Sequence, residues 1–195
     1  MFLGPAAEAQ WIESNNGIYG GTITALANFD GHIFAGTWGG VYHSTNNGNG
    51  WEQMNEGLDN TFINAMAVNS SGKVFAATKG GSRMFMSSTP LGSWTIIRSG
   101  LPNDPIVELD AMNNKIFGIT STGLFFSLMD DSPEWKQIQN DLGPINSFSC
   151  SGENIFTATD NGIYLSTDGG INWVSKNNGL LEKSIYSISS VGRFV

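Results

Sequence analysis

Ser166-Thr167-Asp168-Gly169-Gly170-Ile171-Asn172-Trp173 is the stretch on which the reading of this chain turns. Its spacing, Ser-x-Asp-x-Gly-x-x-Trp, suits a tight hairpin connection. An Asp at the third position accepts hydrogen bonds from backbone N–H groups of its own turn. Glycine at the fifth supplies a left-handed backbone, and the indole is expected to close the hairpin by packing beneath it. Ser44-Thr45-Asn46-Asn47-Gly48-Asn49-Gly50-Trp51 repeats the pattern with Asn for Asp. Two other copies are degraded: Ser87 to Trp94 has Thr89 and Leu91 in place of Asp and Gly, and Ser127 to Trp135 carries an extra residue around Asp130 and Asp131. Ser44, Asn46, Gly48, Trp51, Ser166, Asp168, Gly170 and Trp173 therefore read as structural residues, and Asp168 as a turn former in place of a catalytic acid.

Outward from this motif, Trp11, Trp51, Trp94, Trp135 and Trp173 recur at intervals of 40, 43, 41 and 38 residues. A turn signal follows each by six positions (Gly17, Gly57, Gly100, Asp141, Gly179). A period near forty without sustained helical patterning marks a repeat architecture. Each period carries four short strand signals separated by turn chemistry. The first strands fall at 23–27, 63–67, 106–109, 145–148 and 185–188, the second at 33–37, 74–78, 116–120 and 155–159, the third at 40–42, 84–86, 123–125 and 162–164, and the fourth begins at each tryptophan. One blade of four strands cannot bury its own faces, so Phe34, Phe75, Phe117 and Phe156 are expected between blades. The fold class is all-β: a β-propeller of four-stranded antiparallel blades, which leaves only short edges by radial repetition. One domain is expected over 1–195, with repeats near 1–40, 41–83, 84–123, 124–162 and 163–195. A fifth blade is expected to be closed by strands from both ends, at residues 1–3 and the Trp11 strand from one and at 185–188 and 193–195 from the other; the alternative is a fragment of a longer propeller. Residues 1–9 also read as a signal-peptide remnant, since Ala7-Glu8-Ala9 fits a small-x-small cleavage site. Blade edges left open would invite self-association.

Net charge of −8, from 9 Lys+Arg against 17 Asp+Glu, repels phosphate backbones and anionic membrane surfaces. Nucleic acid is therefore not an expected partner, and no apolar run is long enough for membrane insertion. The single cysteine, Cys150, rules out an intrachain disulfide and reads as a small strand residue. His32 and His43 lack metal-ligand spacing, so neither a metal site nor a cofactor is expected. Asn69-Ser70-Ser71 is a glycosylation sequon, meaningful only in a eukaryotic secretory pathway.

With its Ser-x-Asp-x-Gly-x-x-Trp turns, the chain resembles the BNR/Asp-box repeat propellers. Ala35-Gly36-Thr37-Trp38-Gly39-Gly40-Val41-Tyr42 followed by Ser44-Thr45-Asn46, and Gln10, Trp11 and Tyr19 to Gly21, are similar to secreted bacterial repeat proteins related to photosystem II assembly factors and to the sortilin ectodomain. The resemblance implies a secreted, extracellular or periplasmic protein. It says little about activity, because sialidases, xyloglucan hydrolases, receptors and assembly factors share the repeat.

In propellers the ligand face is built by the loops joining strand four to strand one and strand two to strand three. The distinctive side chains there are Tyr19, Trp38, Phe62, Lys79, Arg83, Asp104 and Asp160. Trp38 is the one tryptophan outside the repeat series, so the repeat does not explain it. An aromatic with Asn and Asp neighbours suits a sugar or peptide. The expected function is a non-catalytic module that binds a protein or glycan on this face. The alternative is a glycoside hydrolase, sialidase-like or glucan-active, or a fragment of one. That reading needs two carboxyls across a cleft, for which Asp104, Glu108 and Asp160 qualify by location only. Sialidase chemistry would further require an arginine cluster, and of Arg83, Arg98 and Arg193 only Arg83 falls on a ligand-face loop.

Overall fold

The computed structural model describes residues 12–19, 21–80, 83–97, 100, 103–112, 114–128, 134–138 and 141–190, and every regular element among them is a β-strand. Blade 1 consists of β1 (Ile23–Phe29), β2 (His32–Thr37), β3 (Gly40–Ser44) and β4 (Glu52–Gln53). Blade 2 comprises β5 (Ile63–Val68), β6 (Val74–Thr78), β7 (Arg83–Ser87) and β8 (Thr95–Ile97). Blade 3 follows with β9 (Glu108–Met112), β10 (Lys115–Thr120), β11 (Gly123–Leu128) and β12 (Trp135–Gln137), and blade 4 with β13 (Ile145–Ser151), β14 (Asn154–Thr159), β15 (Gly162–Ser166) and β16 (Val174–Ser175). Each blade is an antiparallel sheet in simple sequence order. The strands expected in these four blades are found, except that β9 begins at Glu108, two residues later than its pattern suggested, while the strand expected at 185–188 is absent: those residues are extended chain without a regular ladder.

The core lies in the seams between blades. Phe34 and Val41 of blade 1 pack with Ile63, Met66, Phe85 and Trp94 of blade 2. Phe75 and Met84 meet Leu109, Phe125 and Trp135 across the next seam, and Phe117 and Leu124 meet Phe148 and Ile155 across the third. Phe34, Phe75 and Phe117 are fully buried. Phe156 departs from the expectation: it is only half-buried, because among the described residues no complete blade packs against its side of blade 4. Leu26 shows the same effect at the other end, 65% exposed where its counterparts Met66, Leu109 and Phe148 are buried.

Single strand positions overhang on both sides. The Trp94 indole donates to the Met54 carbonyl at 2.8 Å and its backbone N–H to Glu56, which ties blade 2 to the last strand of blade 1. Trp51 makes the same pair of bonds to Ser14 and Asn16, so residues 14–16 stand where the fourth strand of a preceding blade would. At the other end, Asn146 donates to the Ile185 carbonyl as Thr24 does to Ile63 and Asn64 to Ile106. Residues 185–190 thus occupy the first-strand slot after blade 4, docked by the Ile188 and Ser190 N–H groups on the Ser147 and Ser149 hydroxyls. The expected strands at 1–3 and 193–195, the signal-peptide reading of residues 1–9, Trp11, Arg98 and Arg193 all lie outside the described residues.

The repeated turns form as their sequence demands. The Ser166 hydroxyl donates to Asp168 Oδ1 and accepts the Gly170 N–H, while Asp168 Oδ1 accepts from the Ile171 and Asn172 N–H groups. Those donors, the Asn172 backbone first, hold the Asp168 carboxyl down at about 2. Ser44, Asn46 and Gly48 reproduce the arrangement. In the degraded copy the Ser87 hydroxyl donates to the Thr89 and Gly92 carbonyls instead.

The tryptophans need a correction. Trp173 bonds to Gly170 within its own turn, as expected, but Trp51 and Trp94 reach back to the preceding strand and fasten one blade to another. Trp94→Ala should therefore cost about 3–5 kcal/mol in urea unfolding, the range for a buried aromatic. Trp173→Ala, half-buried and bonded locally, should cost less than half as much.

Candidate functional site

The loop face is assembled from paired loops. In blade 1 the Trp38 N–H donates to the Thr22 carbonyl, and in blade 2 the Lys79 N–H donates to that of Phe62. The residue that follows the closing threonine of each second strand therefore sits beside the loop entering the same blade. In blades 1 to 4 that residue is Trp38, Lys79, Ser121 and Asp160. The rim thus passes from aromatic through cationic and neutral to acidic.

Trp38 stands on a tightly held backbone. The Thr37 hydroxyl donates to the Gly40 carbonyl and accepts the Gly39 N–H. The Gly39 carbonyl accepts from Asn55 Nδ2 at 3.0 Å, and Asn55 Oδ1 accepts the Val41 N–H at 2.9 Å. Gly40 has φ +119, and a Cβ there would collide with the Asn55 amide. Asn177 locks the corresponding loop of blade 4 in the same way, through Asn161 and Ile163. Asn55 and Asn177 lie four residues after their tryptophans, a periodicity visible in the sequence but without meaning until the loop it anchors is seen.

On this fixed loop the Trp38 side chain is 51% exposed. Phe62, 49% exposed, is presented by an Asx turn in which Asn60 Oδ1 accepts the Phe62 N–H and Asn60 Nδ2 donates to the Lys79 carbonyl. Tyr19 is 88% exposed on the loop that enters blade 1. The structure brings the Tyr19, Trp38 and Phe62 loops to blade 1 and its border with blade 2, with Lys79 next to Phe62.

The charged candidates are engaged locally. Arg83 pairs with Asp59 at 2.7 Å, half-exposed on both sides. Asp104 accepts from the Ser121 hydroxyl at 2.7 Å, and Asp160 from Asn146 Nδ2 and the Ser184 hydroxyl. Glu108 lies on β9 and turns toward blade 4, accepting from the Ser147 hydroxyl and the Phe148 N–H. Asp110, two residues on, accepts the Cys150 and Ala111 N–H groups. Blades 1 and 2 have Ala25, Ala27, Ala65 and Ala67 in those positions, and blade 4 has Ser147 and Ser149. Glu108 and Asp110 are thus seam clamps that hold the inner strand of the next blade by its backbone. Burial, above all, raises the pKa of both, against the pull of their hydrogen-bond donors.

A raised carboxyl pKa means that the folded state favours the protonated form, so its contribution to stability is present in acid and lost as pH rises through the folded value. The urea stability of the wild type relative to the Glu108→Ala, Asp110→Ala double variant should therefore be greater near pH 5 than near pH 8. An unchanged difference would remove the clamp from the pH account.

Two sequence features turn out to be structural. Asn69 of the sequon is buried, its Oδ1 accepting from the Ser71 N–H, the Ser71 hydroxyl and the Lys73 N–H, so it organises the β5–β6 turn. Cys150 lies on β13, where burial first, then Asp110 and Glu108, push its thiol far above the ordinary range. Among the described residues no three metal-ligating side chains converge, and no helix is long and apolar enough to cross a membrane.

Four-stranded blades in sequence order, cores in the seams and a loop face at one end define a β-propeller. A family model described as the DUF6242 beta propeller domain matches residues 5–109, over half of the chain. The chain belongs to that family. No curated protein sequence matches it.

Among solved structures it is similar to an ancestral GH74 enzyme, with a TM-score of 0.66 at 16% identity over 86% of this chain and 27% of that one. The extracellular domain of a putative hybrid two-component system from B. thetaiotaomicron gives 0.64 at 17% identity, covering 85% and 24%. YCF48 from Cyanidioschyzon merolae gives 0.58 at 17%, covering 82% and 59%. At these identities the likeness is one of fold. The chain spans about a quarter of the length of the first two.

Proposed function

We propose that this chain is a non-catalytic binding module that takes an extended glycan or peptide on its loop face, with the Trp38 indole as the central contact. The observation that carries this reading is the pairing of a half-exposed indole with a backbone fixed by Thr22, Thr37 and Asn55. A large aromatic held in advance loses little freedom when a ligand covers it, and that supports affinity. Tyr19 and Phe62 extend the aromatic surface, Lys79 adds a cation beside Phe62, and Asp160 offers an acceptor at the far end of the rim. Arg83 acts through its pair with Asp59, which shapes the blade 2 loop.

Binding is favoured over hydrolysis because the carboxyls available for hydrolysis are committed to local structure: Asp104 to Ser121, Asp160 to Asn146 and Ser184, and Glu108 to the β13 strand. Glycosidase chemistry needs two carboxyls facing one another across the scissile bond. An extracellular or periplasmic location accords with this role and with the extracellular domain among the similar folds.

The test applies the protein to an oligosaccharide array and to a displayed peptide library, with Trp38→Ala alongside. Retained ligands should lose roughly tenfold in affinity in the variant, in line with about 1.4 kcal/mol of lost contact, while thermal stability stays within about a degree. Equal binding by Trp38→Ala would overturn the assignment. So would release of reducing sugar from a polysaccharide panel that is abolished by Asp104→Asn or Asp160→Asn.

A further inference from the structure

His43 stands where the other blades have an apolar residue. The registers Phe34↔His43, Phe75↔Met86, Phe117↔Phe126 and Phe156↔Leu165 place one position in all four blades. Two residues before each of those phenylalanines come His32, Lys73, Lys115 and Asn154. In blade 3 this pair of positions holds a lysine ammonium 5.2 Å from the centre of the Phe126 ring. Blade 1 instead sets two imidazoles against each other, with His32 Nδ1 and His43 Nε2 at 2.7 Å. The ring centres are 5.0 Å apart and the planes differ by 23°, so the rings meet nitrogen to nitrogen.

The pair occupies the blade face that carries Phe34, whose ring centre lies 5.1 Å from that of His43 and which packs in the seam with blade 2. A groove of about 350 Å³ opens beside it, lined by His43, Glu52, Met54, Glu56, Leu91 and Gly92. Its charged groups are Glu52, the cross-strand partner of His43 on β4, and Glu56 just beyond. Blade 2 contributes uncharged Leu91 and Gly92, and the β1–β2 turn that leads to His32 carries Asp30.

We propose that His32 and His43 form a proton-sharing latch that ties β2 to β3 on the seam-facing side of blade 1 and loosens that strand pair in mildly acidic solution. A single hydrogen between Nδ1 and Nε2 satisfies both nitrogens, and one added proton leaves that bond in place. A second added proton puts N–H groups on both facing nitrogens, which must then separate. The His32 ring, only partly buried, can turn to solvent, and the His43 cation then has Glu52 as its partner. Burial of His43, then the charge of His32, lower its pKa, against the opposing effect of Glu52. The latch is therefore intact above the ordinary imidazole range and lost as pH falls below it. Ligand binding on the opposite loop face is not required for it.

The test is a proton-detected NMR titration of both imidazoles, with amide hydrogen exchange at Tyr42, His43 and Ser44 corrected for intrinsic rate. His43→Met and His32→Lys serve as variants; each installs the residue that blade 2 already carries at that position and so suits the local packing. The wild type should show one coupled titration in two steps, and protection of those amides should fall about tenfold from about pH 7 to about pH 5. Both variants should hold that protection constant over the range. Two independent single-step titrations, or an equal loss of protection in His43→Met, would overturn the proposal.

Discussion

No blade here is able to bury its own faces, and the whole fold follows from that constraint. A four-stranded sheet has two apolar sides, and in this chain the sides that face another complete blade pack against it, so the three hydrophobic cores are all seams. Dispersion and the hydrophobic effect supply the contact but are non-directional. Direction comes from a few repeated polar ties. The Trp51 and Trp94 indoles bond back to the previous fourth strand, and Thr24, Asn64 and Asn146 bond forward to the next first strand. Blades 1 and 2 are thereby fixed to each other at both outer and inner edges, which sets the stagger of one on the next.

That division of labour leaves the loops free. Once the seams fix the blades, the residue after each closing threonine lies outside the core, and its side chain can vary from tryptophan to lysine, serine and aspartate without disturbing that core. The same holds at the opposite edge, where one pair of positions carries imidazoles in blade 1 and a lysine over a phenylalanine in blade 3. The inner strand varies too, with alanines in blades 1 and 2, carboxyls in blade 3 and hydroxyls in blade 4. At the inner strand the third seam is consequently held by carboxyl clamps and the first by close apolar contact.

Much of this was legible from residue types and spacing. The period of the tryptophans, the alternation in the strands and the Ser-x-Asp-x-Gly turns are local, and local chemistry repeats wherever the residues repeat. Trp38 stood out because it breaks the period. Less legible was the role of the tryptophans: an indole N–H that bonds within its turn at Trp173 and back to Ser14 at Trp51 follows closely similar turns, with Asp in one and Asn in the other. Asn55 and Asn177 escaped notice because an Asn four residues after a tryptophan means nothing until the glycine loop it secures folds against it. Asp104, Glu108 and Asp160 fell near the ligand face by location, but their hydrogen bonds connect loops or blades far apart in sequence.

By itself, then, the sequence determined the all-β class, the four complete blades among the described residues, the turns and the loops between the strands, since each depends on short-range backbone preference and a repeating pattern of apolar residues. Tertiary structure alone decided which side chains are spent on holding blades together and which remain available. Hydrogen bonds such as His32 to His43, Glu108 to Phe148 and Asn146 to Ile185 depend on distances between strands, and those distances exist only after the seams have packed.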